Sequence, residues 1–253
     1  MRPITDLVHS RTRVTPHYAV MPLEGFPPSR LPGWPDAEAY VLASPAIGAD
    51  FVQLLIDLPA GSTGAFPADR ELQTFHYVLA GAGQYTNNHN ANQPLTPGAF
   101  GLTAPNHTCT LTADKQTPLR VLLLRKRYEP TADHPDTTPL LGHADDVEQT
   151  VWADNADALL QTLVPDDPAF DLAMNIFTFS PGHGLPIVET HVMEHGLWFL
   201  QGKGLYHLAG EWMEVEKDDF IWMAPFCPQS YYATGPTPTQ YLYYKNVNRD
   251  ISL

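Results

Sequence analysis

One short stretch concentrates the reactive side chains of this chain: Pro186-Ile187-Val188-Glu189-Thr190-His191-Val192-Met193-Glu194-His195-Gly196. Glu189, His191 and His195 share parity. On an extended strand, residues two and four apart point to one face, so a carboxylate and two imidazoles converge from a single segment. Val188, Thr190 and Val192 then point to the other face. A His-x₃-His pair on a helix would also share a face, but Pro186 and the β-rich Leu197–Leu200 favour a strand. Two neutral imidazoles beside a carboxylate are the makings of a divalent-metal site, whereas a single histidine is more often structural. Glu194 falls on the opposite parity and is expected in an ion pair or in solvent. His183 precedes the strand and reads as a turn residue.

Such a segment needs a scaffold with a hollow interior, and an internal repeat supplies one. Gly81-Ala82-Gly83-Gln84-Tyr85 matches Gly202-Lys203-Gly204-Leu205-Tyr206 at an offset of 121. Phe100–Pro105 matches Phe220–Pro225, and Thr117-Pro118 with Val121–Arg125 matches Thr237-Pro238 with Tyr241–Lys245, both at an offset of 120. Leu58-Pro59-Ala60-Gly61 echoes Phe179-Ser180-Pro181-Gly182. Four matches in order at nearly one offset make the chain two copies of one β-rich module. The 25 prolines in 253 residues suit short strands and turns and tell against long helices. Strand, Pro/Gly turn, Gly-x-Gly hairpin and strand in each copy suit a small barrel or jelly roll with protected edges.

The expected class is therefore all-β, two tandem jelly-roll barrels with few short helices. Residues 1–36 read as an N-terminal arm, 37–128 as the first barrel, 129–150 as a linker and 151–253 as the second barrel. One short helix is expected around Ala156–Leu163. The net charge of -14 repels nucleic acid and anionic membranes. The N-terminus lacks a signal-like apolar stretch and no long apolar run follows, which points to the cytoplasm. Cys109 and Cys227, placed in different barrels by the repeat, are expected to stay unbridged.

Pro181-Gly182…Glu189-x-His191-x₃-His195-x₆-Gly202 resembles the first cupin motif, and Lys217-Asp218-Asp219…Ala224-Pro225…Pro228-Gln229 resembles the second. Against the generic pattern, Glu189 stands for the first His, His195 for the usual Glu and Gln229 for the last His. That substituted set, the phrase Glu-Thr-His-Val-x-Glu-His-Gly and the C-terminal Tyr244-Lys245…Asn248-Arg249-Asp250-Ile251 resemble the (S)-ureidoglycine aminohydrolase family of bicupins. The resemblance implies that Glu189, His191, His195 and Gln229 hold Mn²⁺, that Tyr206, Tyr241 and Lys245 face the substrate, and that Glu189 and Lys245 are catalytic. The mixed N/O donor set is compatible with Mn²⁺ and also open to Fe²⁺, Ni²⁺ or Zn²⁺. Tyr241, Tyr243 and Lys245 alternate onto one face of the last strand, where Lys245 is a fixed cation for a carboxylate. Tyr243 could equally be core.

The implied activity is metal-dependent hydrolysis of (S)-ureidoglycine, in purine and ureide catabolism, by a homo-oligomer whose partner is a small ureide. Two alternatives belong to other classes: a different metal-dependent cupin enzyme, such as a dioxygenase or isomerase, and a non-catalytic ligand-binding or storage bicupin. Counting back from Gly81 as from Gly202 sets Ala68, Arg70 and Thr74 opposite Glu189, His191 and His195, and Cys109 opposite Gln229. The first barrel thus reads as a degenerate packing and oligomerisation partner. His76 and His107 are strays there, and Glu71 is structural. Trp198, Phe199, Trp212, Trp222, Tyr231 and Tyr232 are expected mostly in the core, with one or two walling the pocket.

Overall fold

A computed structural model describes residues 11–88 and 92–250; part of the N-terminal arm and Ile251 of the C-terminal motif lie outside the described residues. Two large antiparallel sheets dominate. The first runs, edge to edge, Leu140–His143, Ala99–Thr103, Leu72–Gly81, Leu119–Arg127, Val52–Leu58, Trp34–Ala43, Ser29–Leu31. The second runs Arg13–Val14, Tyr18–Pro22, Asp219–Met223, His195–Gln201, Thr239–Asn246, Leu172–Phe179, Asn155–Thr162, Thr150–Trp152. Each faces a smaller sheet of its own half. Thr63–Phe66, Cys109–Ala113, Gly83–Thr86 and Gln93–Leu95 form one; Glu211–Glu216, Lys203–Leu208 and Gln229–Ala233 form the other.

Among the described residues the apolar side chains gather into three cores. One fills the first half around Ile56, Val121 and Leu123. One fills the second around Phe179, Phe199 and Tyr231. The third lies between the large sheets, where Leu55, Phe75 and Leu122 meet Trp198, Phe220 and Leu242. Both faces of the central strands of each large sheet are therefore buried. This is why Val121-Leu122-Leu123-Leu124 and Leu197-Trp198-Phe199 read as unbroken apolar runs rather than alternating ones. Gly81 and Gly202 open equivalent hairpins at φ of 88° and 78°. A Cβ at Gly81 would run into the Pro118 carbonyl, so only glycine fits there.

Several expectations are corrected. Ala156–Leu163 is not helical: Asn155–Thr162 is a strand paired with Leu172–Phe179, Ala158 opposite Phe179. Ala153 and Asp154, at φ of 50° and 58°, make the two-residue turn that returns Trp152 opposite Asn155. Segments read as arm and linker join sheets of the opposite copy's surroundings. Tyr18–Pro22 joins the second large sheet inside Arg13–Val14, with Val20 opposite Ile221, and Leu140–His143 edges the first, with Gly142 opposite Phe100. The two strands cover the equivalent strands Ala99–Thr103 and Asp219–Met223. Cys109 and Cys227 are free and buried.

Candidate metal centre

The site sits in the second half, where the ladder breaks. After Phe179 the chain runs irregularly to His195, tied to the strand Gln229–Ala233 by two isolated bridges, Gly184 with Tyr232 and Glu189 with Gln229. The Glu189 amide donates to the Gln229 carbonyl at 2.7 Å and the Gln229 amide returns the bond at 2.9 Å. The Phe226 amide donates to the His191 carbonyl at 2.8 Å, from a turn that holds Phe226 at φ of 62°. The expected continuous strand over Pro186–Gly196 is thus corrected: only His195 onward is strand, and Ile187 and Val188 lie exposed on the surface. Irregular backbone lets successive polar side chains aim inward without the strict alternation of a ladder.

A cavity of about 130 Å³ is lined by Glu189, His191, His195, Tyr206, Gln229, Tyr241, Tyr243 and Lys245, with apolar walls from Trp152, Phe177, Leu185 and Leu197. The Nε2 atoms of His191 and His195 are 3.2 Å apart, and the Gln229 Nε2 lies 3.1 Å from His191 Nε2. Tyr206 donates its hydroxyl to Gln229 Oε1 at 2.9 Å. His195 Nδ1 lies 2.9 Å from the Tyr244 carbonyl. That acceptor fixes the proton on Nδ1 and leaves the Nε2 lone pair facing the cavity. Burial pushes His195 down to about 3, and burial followed by the Lys245 charge lowers His191. Both rings are neutral, as ligands must be. Burial raises Glu189, opposed in part by Lys245; burial also holds Tyr206 and Tyr241 well above the usual phenol range.

The donor set fits a divalent cation. An octahedral ion with bonds of about 2.2 Å places neighbouring donors about 3.1 Å apart, close to the spacing of His191 from His195 and from Gln229. Ligation by Gln229 requires its carboxamide to turn over, so that Oε1 faces the imidazoles and Nε2 faces the Tyr206 oxygen; both partners tolerate the exchange. Glu189 lines the same cavity but stands off: among the described residues no three His, Cys, Asp or Glu side chains close into a cluster by themselves.

Other residues depart from expectation. Glu194 is buried, and among the described residues it makes no ion pair. Its carboxylate accepts from the Asp50 amide at 3.2 Å and from Trp222 Nε1 at 3.4 Å, and burial pushes it up to about 7. None of Trp198, Phe199, Trp212, Trp222, Tyr231 and Tyr232 lines the cavity, and Trp212 and Tyr232 are exposed. The walls are Trp152 and Phe177, edge-on at 5.4 Å, with Phe177 stacked on Tyr243 at 5.6 Å. The alternation that grouped Tyr243 with Tyr241 and Lys245 was the one signal for its place; nothing local marked Trp152, which arrives through the hairpin at Ala153-Asp154. His183 sits in a turn, 3.2 Å from Asp157.

Paired jelly-roll halves with a polar cavity in one are the architecture of a bicupin. A cupin 2 conserved barrel domain protein from Leptotrichia buccalis shares the fold alone, at TM-score 0.59 and 16% identity over 83% of this chain and 89% of that one. A crystal structure of protein Ylba from E. coli superimposes at TM-score 0.86, with 28% identity and full coverage of both chains. No family model matches. The chain is 33% identical to (S)-ureidoglycine aminohydrolase from Arabidopsis thaliana, over 88% of this chain and 73% of the relative. It is 29% identical to (S)-ureidoglycine aminohydrolase from Escherichia coli, over 98% and 95%. The chain belongs to the (S)-ureidoglycine aminohydrolase family.

Proposed function

We propose that this chain hydrolyses (S)-ureidoglycine to (S)-ureidoglycolate and ammonia, with a Mn²⁺ ion that His191, His195, Gln229 and Glu189 would hold. The carrying observation is that a second neutral imidazole and a carboxamide both lie within 3.2 Å of His191 Nε2 in a cavity that Glu189 and Lys245 also line. The names of the relatives support the substrate. When bound, the ion supplies an electrophilic anchor that orients the substrate and offsets negative charge.

The side chains do the rest. Lys245 pairs with the substrate carboxylate. Tyr206 and Tyr241 keep their protons because burial raises them, so they donate to the ureido oxygen. Glu189, the carboxylate lining the same cavity, takes a proton from the attacking water and passes it to the departing amine. One C–O bond forms, one C–N bond breaks, and the nitrogen leaves as ammonia with the transferred proton. The deciding assay is ammonia release from freshly generated ureidoglycine with Mn²⁺ added and removed. Release is expected only with the metal. Undiminished release from metal-free protein would remove the ion from the reaction, and no release under either condition would remove the substrate.

A further inference from the structure

The first half contributes directly to the neighbourhood of His195. The Asp50 amide donates to both oxygens of Glu194, at 3.2 and 3.3 Å, and Glu194 immediately precedes His195. The Glu194 amide in turn donates to Asn246 Oδ1 at 2.7 Å, so residue 194 is held at backbone and side chain together. On the other side, the ring of Phe51 packs on that of Tyr244 at 4.6 Å, and the Tyr244 carbonyl is the partner of His195 Nδ1 at 2.9 Å. A Cβ on Gly196 would meet Phe51 Cζ at 2.7 Å and collide with Gln53 Oε1. Residues 50–53 are therefore pressed against the backbone on which His195 sits.

We propose that the segment Asp50–Gln53 of the first half is a positioning device for the metal centre of the second. It sets the His195 backbone through the amide of Asp50 and Glu194, and sets the imidazole through Phe51 and Tyr244. Glu194 and Phe51 are positioning residues; neither lines the cavity. A ligand nitrogen held from both sides enters the site already oriented, which is how outer contacts tune metal affinity.

The inference rests on the metal reading above, and the experiment separates the two. Full-length protein is titrated with Mn²⁺, the free ion being read by electron paramagnetic resonance, and the apo melting temperature is measured alongside. Glu194→Ala is expected to weaken Mn²⁺ binding about 10- to 100-fold. Glu194→Gln, which keeps an oxygen for the Asp50 amide, should recover most of that loss, and Phe51→Leu should fall between them. Ile56→Val, in the first half's own core, should lower the melting temperature and leave Mn²⁺ affinity unchanged. Wild-type affinity in Glu194→Ala and Phe51→Leu, or a Gln variant no better than Ala, overturns the inference alone. If Glu194→Ala does not fold, unchanged affinity in Phe51→Leu overturns it. Wild-type protein that binds Mn²⁺ no better than His191→Ala overturns both the inference and the metal reading.

Discussion

The two halves share one scaffold and fill it with opposite chemistry. Thr74 pairs with Thr103 and Arg125 in the first, and His195 pairs with Met223 and Lys245 in the second, so Thr74 and His195 are equivalent, as are Arg125 and Lys245. Phe66 pairs with Cys109 where Glu189 bridges to Gln229. The first half therefore holds Phe, Arg, Thr and Cys where the second holds Glu, Lys, His and Gln. The Arg125 guanidinium lies 4.0 Å over the Phe66 ring, and its Nε donates to Thr74 Oγ1 at 3.2 Å. A ring plugs the space that the second half leaves as a polar cavity. The plug goes with order: Thr63–Phe66 is a regular four-residue strand on Cys109–Ala113, while its counterpart is irregular with two isolated bridges. Giving up ladder hydrogen bonds costs stability locally and frees the backbone to aim ligands.

The most direct way to break this contrast is to exchange equivalent residues. His195→Thr, which copies Thr74, should cut ammonia release on the order of 1000-fold, about 4 kcal/mol of barrier, while Thr74→His should confer nothing because Phe66 and Arg125 fill its space. Full activity in His195→Thr would dissolve the distinction between the halves.

His76 sharpens the contrast. It is the counterpart of Leu197, since it pairs with Gly101 and Leu123 where Leu197 pairs with Ile221 and Tyr243. Both of its ring nitrogens are buried without a hydrogen-bond partner among the described residues, and burial lowers it to about 4. The unfolded chain takes up this proton near pH 6.5 and the folded chain only near 4. Stability is therefore lost as pH falls through that window, by up to about 3 kcal/mol. His76→Leu should flatten that loss relative to wild type in urea unfolding at pH 7 and pH 4.5; an identical difference in both proteins would contradict it.

The cation pair gives the smallest effect. Lys245→Met should raise KM for ureidoglycine about 10- to 100-fold through a lost charge-assisted contact, whereas Arg125→Met should leave KM where it was and lower only the melting temperature. Equal effects on KM in both variants would make the two cations interchangeable, against the plugged first half.

The chain itself determined much of this. A repeat offset of 120 to 121 residues is a statement about strand order, and the registers bear it out at Thr74 and His195 and at Cys109 and Gln229. It failed at Glu189, set opposite Ala68 when Phe66 is the paired residue. Thr74 lies eight positions after Phe66 and His195 six positions after Glu189, and counting from a distant glycine cannot see a connection that changed length. Parity set Glu189, His191 and His195 on one side, and all three line one cavity, though not for the reason of a strand, because the segment is not a strand. The residue types and one bridge at Glu189 sufficed.

What tertiary structure alone decided is whatever depends on a neighbour far along the chain. Asn155–Thr162 is a strand because Leu172–Phe179 pairs with it, overriding the local helical text. Trp152 walls the cavity because a two-residue turn carries it there. Glu194, polar and out of parity, is buried because the amide of Asp50, 144 residues away, satisfies it. Sequence spacing fixes which side chains can share a face; only packing fixes which groups arrive from elsewhere to meet them.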